Sequence, residues 1–150
     1  MLTHGYRMEP ARQAAHRPWS LADNWPCVSF HAADWVTSTS QANAGPYHVL
    51  LAFSVIKWIH LEHGDAGLCT FFAKCSSSLE SGGYLVIELQ TWSSYEKAVR
   101  PNTAPHFGRN FKSLTYRPET SFDELLANVG LDRCVTSESL PRRINVYRKG

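Results

Sequence analysis

The chain has 150 residues, of which 43% are hydrophobic and 19% are charged, a composition typical of one globular domain with a sizeable core. Its formal charge of +2 is too small to indicate a nucleic-acid partner by itself, and its longest apolar run, residues 49–56, is too short to span a bilayer. The cysteines, at positions 27, 69, 75 and 134, form no CxxC pair, and no apolar signal region opens the chain. We therefore expect reduced thiols in a nuclear or cytoplasmic protein, not a secreted one.

The first part of the chain shows little regular pattern. Residues 1–26 contain three prolines and no clear periodicity, so we expect an irregular lead-in, with at most a short helix over residues 12–16, before one domain over residues 27–150. Residues 28–30 predict a short strand. The polar stretch 37–46 predicts a loop.

The middle of the chain predicts a strand, a helix and a second strand. Residues 47–54 form a continuous apolar run, as expected for a parallel strand that is covered on both faces. A helical pattern follows Gly64 and Asp65, and Gly82-Gly83 is expected to end it. Residues 84–89 form the second apolar strand, so a right-handed parallel crossover is the default connection.

The last third of the chain predicts a long loop, a helix and a hairpin. Residues 91–118 are polar, aromatic and proline-containing, which predicts a long functional loop. A helix opens at Thr120 or Ser121 and stops at Gly130, and residues 131–138 and 144–148 predict an antiparallel hairpin. This order is typical of the back half of a doubly wound α/β sheet with an antiparallel tail.

Three segments carry a family signature. Residues 54–62 read SVIKWIHLE and residues 64–68 read GDAGL, which resembles Ser-(Val/Leu)-Thr-Lys-Trp-(Ile/Val)-His-Leu-Asn followed by Gly-Asp-x-Gly-Leu. Residues 88–95 read ELQTWSSY and resemble Glu-Pro-Gln-Pro-Trp-x-Ser-Tyr. Residues 28–36 are similar to a third strand and its adenine-side turn. Together these segments resemble the methylphosphate-capping RNA methyltransferases.

The resemblance implies a partial class I methyltransferase sheet, Rossmann-like, with its first two strands missing and a C-terminal antiparallel hairpin. It implies an RNA methyltransferase that transfers a methyl group from S-adenosylmethionine to the 5′-terminal phosphate of a small RNA. The implied cofactor-binding residues are Asp34 and Trp35, at the adenine edge, and Phe53 and Ser54, at the end of the fourth strand. The implied substrate-binding residues are Trp58, Glu88, Gln90, Trp92 and Tyr95.

The chemistry favours cations over acid–base groups. A phosphate oxygen is already anionic, so the enzyme must mainly align the reacting atoms and offset charge. We expect Lys57 and His60 to do this as catalytic residues, with Arg109 as a further cation. The plainer interpretation of Lys57 is a solvated lysine at a strand end.

Other candidate residues have equally ordinary interpretations. Trp58 and Trp92 could stack on a base or belong to the core, and Tyr95 could contact the acceptor or be an exposed loop aromatic. Glu88 ends a buried strand, where a carboxylate is costly unless it is paired; it either orients the acceptor or forms a structural salt bridge. Asp34 either binds the cofactor or caps a turn.

The sequence also bounds the partners. The spacing of the histidines and cysteines at positions 60, 63, 69 and 75 matches no common zinc site, so we expect no metal. The expected partners are an RNA 5′ end and ribonucleoprotein components, with no membrane. The segments depart from the family at Ile56, Glu62, Leu89 and Thr91, and a Gly-rich cofactor turn is missing. The alternative function is therefore a catalytically inactive, truncated homologue that acts as an RNA- or protein-binding module.

Overall fold

The computed structural model describes residues 30–39, 45–100, 104–137 and 139–150. Contacts divide the chain into two units, Met1–Ala32 and Ala33–Gly150, and every helix and strand described here belongs to the second. The predicted lead-in, its short helix and the domain start at residue 27 lie outside the described residues. The same is true of Val28 and Ser29 of the first predicted strand, and Phe30 to Thr39 contain a turn but no strand.

The second unit is a four-stranded mixed sheet with helices. Its elements are β1 (Tyr47–Ala52), α1 (Ile56–Ser78), β2 (Leu79–Glu88), α2 (Trp92–Ala98), α3 (Pro105–Ser113), α4 (Phe122–Ala127), β3 (Leu131–Ser137) and β4 (Ile144–Lys149). The strand order is β1-β2-β4-β3; β1 and β2 are parallel, and β4 pairs antiparallel with both β2 and β3. This confirms the predicted parallel pair and C-terminal hairpin.

One face of the sheet forms the main core. Alternate residues of a strand point to the same face, and Leu50, Leu85 and Tyr147 stand beside one another in the register of β1, β2 and β4. Leu85 and Tyr147 are fully buried. The helices cover this face with Leu68, Phe71, Phe72 and Cys75 from α1 and with Phe122 and Leu126 from α4.

The opposite face of the sheet is open in the part of the chain that the structure describes. Val49 pairs with Tyr84, and the next row contains Leu51 and Val135; all four side chains are exposed, Leu51 by 64%. The prediction that the first strand is covered on both faces is therefore wrong for the described residues. An apolar run indicates that a strand can be buried, but it does not show which other segments pack against each of its faces.

α1 begins ten residues before the predicted helical pattern, which follows Asp65, and it also ends earlier than the sequence predicted. It starts at Ile56, and a break at Gly64 (φ 66°, ψ −169°) divides it into two helical parts. It ends at Ser78, so the prediction that Gly82-Gly83 terminates it is wrong, and β2 starts at Leu79. Gly83 instead permits close packing of β2 on β1, because a Cβ there would lie 3.1 Å from the His48 carbonyl oxygen.

The predicted long loop over residues 91–118 is also wrong, because it contains α2 and α3. Pro105 occupies the first turn of α3, where a missing N–H costs no hydrogen bond. The two helices form a second small core around Leu61, Tyr95, Ala98 and Leu114. α4 begins after Ser121, as predicted, although the Ser121 hydroxyl accepts a hydrogen bond from the Arg117 N–H and does not cap the helix.

Candidate functional site

The carboxyl ends of β1 and β2 meet at a charged cluster. Ser54 follows β1 in a left-handed conformation (φ 57°) and donates a hydrogen bond from Oγ to Oε2 of Glu88 over 2.7 Å. Arg142, from the loop before β4, donates from Nη1 to Glu88 Oε1 at 2.5 Å and to Ser54 Oγ at 2.9 Å. Three segments that are far apart in sequence therefore converge on one carboxylate.

Glu88 is ionised and held in place in this cluster. Its side chain is only 9% exposed. Burial by itself would raise the pKa of Glu88, but the hydrogen bonds from Arg142 and Ser54 and the charge of Arg142 together lower it. The salt bridge that was one of the two interpretations of Glu88 is present, with Arg142 as its partner.

Lys57 lies beside this cluster in the first turn of α1. Its ammonium donates to Ser94 Oγ at 2.8 Å and lies 4.5 Å from the centroid of the Trp58 ring. Its backbone N–H donates to Gln90 Oε1 at 3.3 Å. Burial and the positive charge of Arg142 lower the pKa of Lys57. Lys57 is therefore a buried, oriented cation and not the solvated lysine of the plainer interpretation.

Two adjoining hollows share the Glu88–Arg142 pair as a wall. The first, of about 380 Å³, is lined by Lys57, Glu88, Leu89, Gln90, Thr91, Ser94, Pro141, Arg142 and Arg143. The second, of about 410 Å³, is more apolar and is lined by Phe53, Glu88, Leu140, Pro141, Arg142 and Ile144. We refer to them as the cationic cavity and the apolar hollow. A third hollow, of about 450 Å³, is lined by Ser81, Gly82 and residues of β3 and β4, and includes no predicted site residue.

His60 is a buried member of a hydrogen-bond chain and is not among the residues that line either hollow. Its Nε2 lies 2.7 Å from Asp65 Oδ1, and its Nδ1 lies 3.3 Å from the Tyr95 hydroxyl. Asp65 also accepts hydrogen bonds from the Thr115 N–H and hydroxyl. These partners fit a neutral imidazole that donates from Nε2 and accepts the tyrosine proton at Nδ1. Burial lowers the pKa of His60 despite the neighbouring Asp65.

The predicted aromatic residues have different surroundings. Tyr95 is fully buried against His60. Trp92 stacks on Tyr95 and on Phe111, at centroid distances of 5.1 and 4.7 Å, and the Arg117 guanidinium lies 3.4 Å from the Trp92 ring. Trp58 differs from them because 42% of it is exposed.

The structure places Asp34 and Trp35 against α1. Asp34 Oδ1 accepts a hydrogen bond from the Val36 N–H, and Oδ2 lies 3.0 Å from His63 Nε2. The Trp35 ring packs edge-on against Phe71, and its carbonyl oxygen accepts a hydrogen bond from Lys74. The turn-capping interpretation of Asp34 therefore has a structural basis, and its second oxygen is engaged by a histidine.

The predicted site residues thus lie in different parts of the fold. Lys57, Glu88 and Gln90 line the cationic cavity, Ser54 is hydrogen-bonded to Glu88, and Phe53 lines the adjoining hollow. His60, Trp92 and Tyr95 lie in the packed region behind it, while Arg109 is exposed on α3. Among the described residues, no group of three or more histidine, cysteine, aspartate or glutamate side chains could hold a metal ion, and no helix could span a membrane.

Sequence reasoning missed Ser94 and Arg142. Ser94 lies inside the Trp-Ser-Ser-Tyr segment, so the motif was a usable signal for it. Arg142 is 54 residues from Glu88 in the sequence, and no motif of the sequence analysis includes it. The one signal for Arg142 was indirect: a buried glutamate at a strand end requires a cation from elsewhere.

The sheet and the position of the site define the class of the protein. The fold is similar to that of the N-methyltransferase NodS from Bradyrhizobium japonicum WM9, with a TM-score of 0.55 and 13% identity over 83% of this chain and 61% of NodS. NodS in complex with S-adenosyl-L-homocysteine gives a TM-score of 0.54 at 14% identity, over 83% of this chain and 56% of that one. The described unit is an α/β fold of the class I methyltransferase type.

The chain belongs to the Bicoid-interacting protein 3 family, whose model matches residues 47–149. A probable RNA methyltransferase of Arabidopsis thaliana is 35% identical over 82% of this chain and 37% of its own length. The 7SK snRNA methylphosphate capping enzyme of Mus musculus is 41% identical over 49% of this chain and 11% of its own length. An RNA 5′-monophosphate methyltransferase of Rattus norvegicus is 39% identical over 52% of this chain and 27% of its own length.

The chain thus spans less than two fifths of these curated relatives. The resemblance to the methylphosphate-capping methyltransferases is confirmed.

Proposed function

We propose that this chain forms part of an S-adenosylmethionine-dependent RNA methyltransferase that acts on a 5′-terminal phosphate. The observation that carries the proposal is the cationic cavity at the carboxyl ends of β1 and β2, the place where open α/β sheets bind ligands. The names of the relatives support the same reaction, since they describe methyl transfer to RNA and 5′-monophosphate ends.

The cationic cavity suits a phosphate acceptor. The Lys57 ammonium donates a hydrogen bond to Ser94, and the Lys57 backbone N–H donates one to Gln90. The ammonium therefore has a defined position at the cavity wall. A phosphate oxygen needs no general base to become nucleophilic, so a preorganised cation that offsets its charge is the useful catalytic element. We assign this role to Lys57. Exposed Trp58 lies beside Lys57 and has a free area on which an RNA base could stack.

The apolar hollow suits the methionine portion of the cofactor. Phe53, Leu140 and Ile144 supply apolar walls for methylene groups, and the carboxylate of Glu88 borders the hollow, which fits a sulfonium cation. When bound, S-adenosylmethionine supplies the activated methyl group. Ser54 and Glu88 would hold it beside the phosphate cavity. Asp34 and Trp35 remain proposed contacts to the adenine.

The role we propose for His60 is to position α2. It bonds Tyr95, and the adjacent residue Ser94 holds Lys57 Nζ. Through α2, the buried His60–Asp65 pair therefore fixes the serine that orients the catalytic cation. Tyr95 and Trp92 belong to this supporting packing and not to a direct RNA surface.

Methyl transfer tests the proposal. Radiolabelled S-adenosylmethionine is incubated with the chain and with one RNA that carries either a 5′-phosphate or a 5′-hydroxyl. We expect label only on the phosphorylated RNA. Because Lys57 offsets developing charge, Lys57→Ala should lower the rate by about 10²- to 10³-fold. Lys112→Ala, at an exposed lysine on α3, is the matched control and should retain the rate.

Two results would contradict this function. Equal labelling by the Lys57→Ala variant would remove Lys57 from the mechanism. Absence of calorimetric binding of both S-adenosylmethionine and S-adenosylhomocysteine, together with tight and salt-sensitive RNA binding, would favour the alternative of a non-catalytic binding module. A nuclear or cytoplasmic location and assembly with ribonucleoprotein components follow from an RNA substrate, and they remain predictions.

A further inference from the structure

We infer that Arg142 binds the 5′-phosphate directly and that Glu88 and Ser54 position it for this task. The inference rests on the proposed function and adds a residue outside the three segments that carry the family resemblance. The arginine is anchored at one end and exposed at the other: 67% of its side chain is accessible, whereas the Glu88 side chain that it bonds is 9% exposed.

The hydrogen bonds of Arg142 to Glu88 and Ser54 involve only one nitrogen of its guanidinium. Both bonds, to Glu88 Oε1 and to Ser54 Oγ, come from Nη1. A guanidinium has five N–H donors in a planar fork, so these bonds use the donors of only one nitrogen. The fork matches two oxygens of a phosphate, which a lysine ammonium cannot match in the same way. Arg142 lines the cationic cavity, so its guanidinium borders the space that a phosphate would occupy.

The charges around the cavity favour a strongly anionic ligand. Lys57, Arg142 and Arg143 line it, and Glu88 is the one carboxylate among the lining residues. Arg142 is close enough to Lys57 for its charge to lower the lysine pKa, so two cations repel one another across this wall. A phosphate monoester, with a charge of about −1.5 to −2 at neutral pH, would relieve that repulsion, and a neutral 5′-hydroxyl would not.

Binding to 5′-phosphorylated and 5′-hydroxyl forms of one fluorescent RNA oligonucleotide tests the inference by anisotropy. The readout is the ratio of the two affinities, which cancels contacts to the rest of the RNA. Arg142→Gln alone would leave the buried Glu88 carboxylate without its cation and could unfold the protein. We therefore compare Glu88→Gln with the double variant Glu88→Gln/Arg142→Gln, in which no buried charge is left.

We expect the double variant to lose about tenfold in the phosphate preference relative to Glu88→Gln, equivalent to about 1.4 kcal/mol. Arg142→Lys keeps a charge beside Glu88 but loses the fork, so its preference should fall by a smaller factor. Arg148→Gln, at an exposed arginine at the opposite end of β4, is the matched control and should keep the wild-type ratio. Thermal unfolding establishes that each variant is folded.

The failure of this inference is distinguishable from that of the proposed function. An unchanged ratio in both Arg142→Lys and the double variant, or no phosphate preference in the wild type, would overturn the role of Arg142. If the protein transfers methyl groups but the affinity ratio is unchanged in the Arg142 variants, the proposed function is kept and the role of Arg142 is rejected. If the affinity ratio falls in the Arg142 variants but the protein shows no methyl transfer, the role of Arg142 in phosphate binding is kept and the proposed function is rejected.

Discussion

Lys57 shows how its surroundings change the titration of one residue. Its ammonium is withdrawn from water and lies near Arg142, and both effects lower its pKa from the ordinary value of 10.5. We therefore expect its charge to be lost at a lower pH than that of a free lysine. NMR of ¹³Cε-labelled lysine should show a resonance that titrates below 10.5 and disappears in Lys57→Arg. Removal of the Arg142 charge should raise the Lys57 midpoint part of the way towards 10.5. A Lys57 midpoint at 10.5 or above would contradict this environment.

His60 makes stability depend on pH. Burial lowers its pKa below 6.5, so the unfolded chain takes up a proton at a pH where the folded chain does not. The free energy of unfolding should therefore fall as the pH is lowered below about 6.5. The lowered pKa of Asp65 changes the free energy of unfolding in a separate pH range, below about 3.8.

Urea denaturation at pH 7 and pH 5.5 measures this dependence. His60→Gln keeps hydrogen-bonding atoms but does not titrate, so it should be less stable at pH 7 and should lose less stability on acidification. An equal loss in the two proteins would show that His60 is not the responsible group.

At the scale of the elements, the break in α1 is what allows His60 to reach Asp65. Residues five apart do not face one another on a regular helix, which brings together residues three and four apart. Gly64 lies between them with φ 66° and ψ −169°, a conformation that is essentially restricted to glycine. The sequence predicted a helix after Gly64 and no element over residues 55–63, so it missed the helical part that starts at Ile56.

Gly64→Ala should destabilise the protein by about 1 to 3 kcal/mol. A Cβ at this position would meet nothing within 4 Å, so the cost is conformational and not steric. Gly108→Ala is a matched control in α3, where a Cβ also has open space, and it should be neutral or stabilising by up to about 1 kcal/mol. Chemical denaturation measures both changes. Similar values for the two glycines would show that the backbone at residue 64 is not strained for alanine.

At the scale of the whole molecule, periodicity predicted the parallel strand pair, the second part of α1, α4 and the hairpin. These elements have long apolar runs or clear ends, such as Gly130 (φ 78°) after α4. The short helices α2 and α3 were missed because each is stabilised mainly by packing of Tyr95 and Leu114 against Leu61, which is distant in sequence. Arg142 was missed for the same reason: pairing through space, and not spacing along the chain, brings it to Glu88.

The open sheet face gives a prediction at this scale. Leu85, which is fully buried, and Leu51, which is 64% exposed, lie on opposite faces of neighbouring strands. Leu85→Ala should cost about 2 to 5 kcal/mol, because it opens a cavity in the core. Leu51→Ala should change the free energy of unfolding by less than about 1 kcal/mol. A comparable loss at both positions, measured by urea denaturation, would mean that the open face is covered in solution.

The strand order has a consequence for the time course of folding during synthesis. β3 pairs with β4, which follows it in the chain, and β4 in turn lies between β3 and β2. On the ribosome, β3 therefore emerges before the strand that joins it to the sheet, and Arg142 reaches Glu88 only when the turn before β4 has left the exit tunnel. The core on α1 can begin to form earlier, but the wall that Glu88 and Arg142 form is among the last features of this unit to be completed.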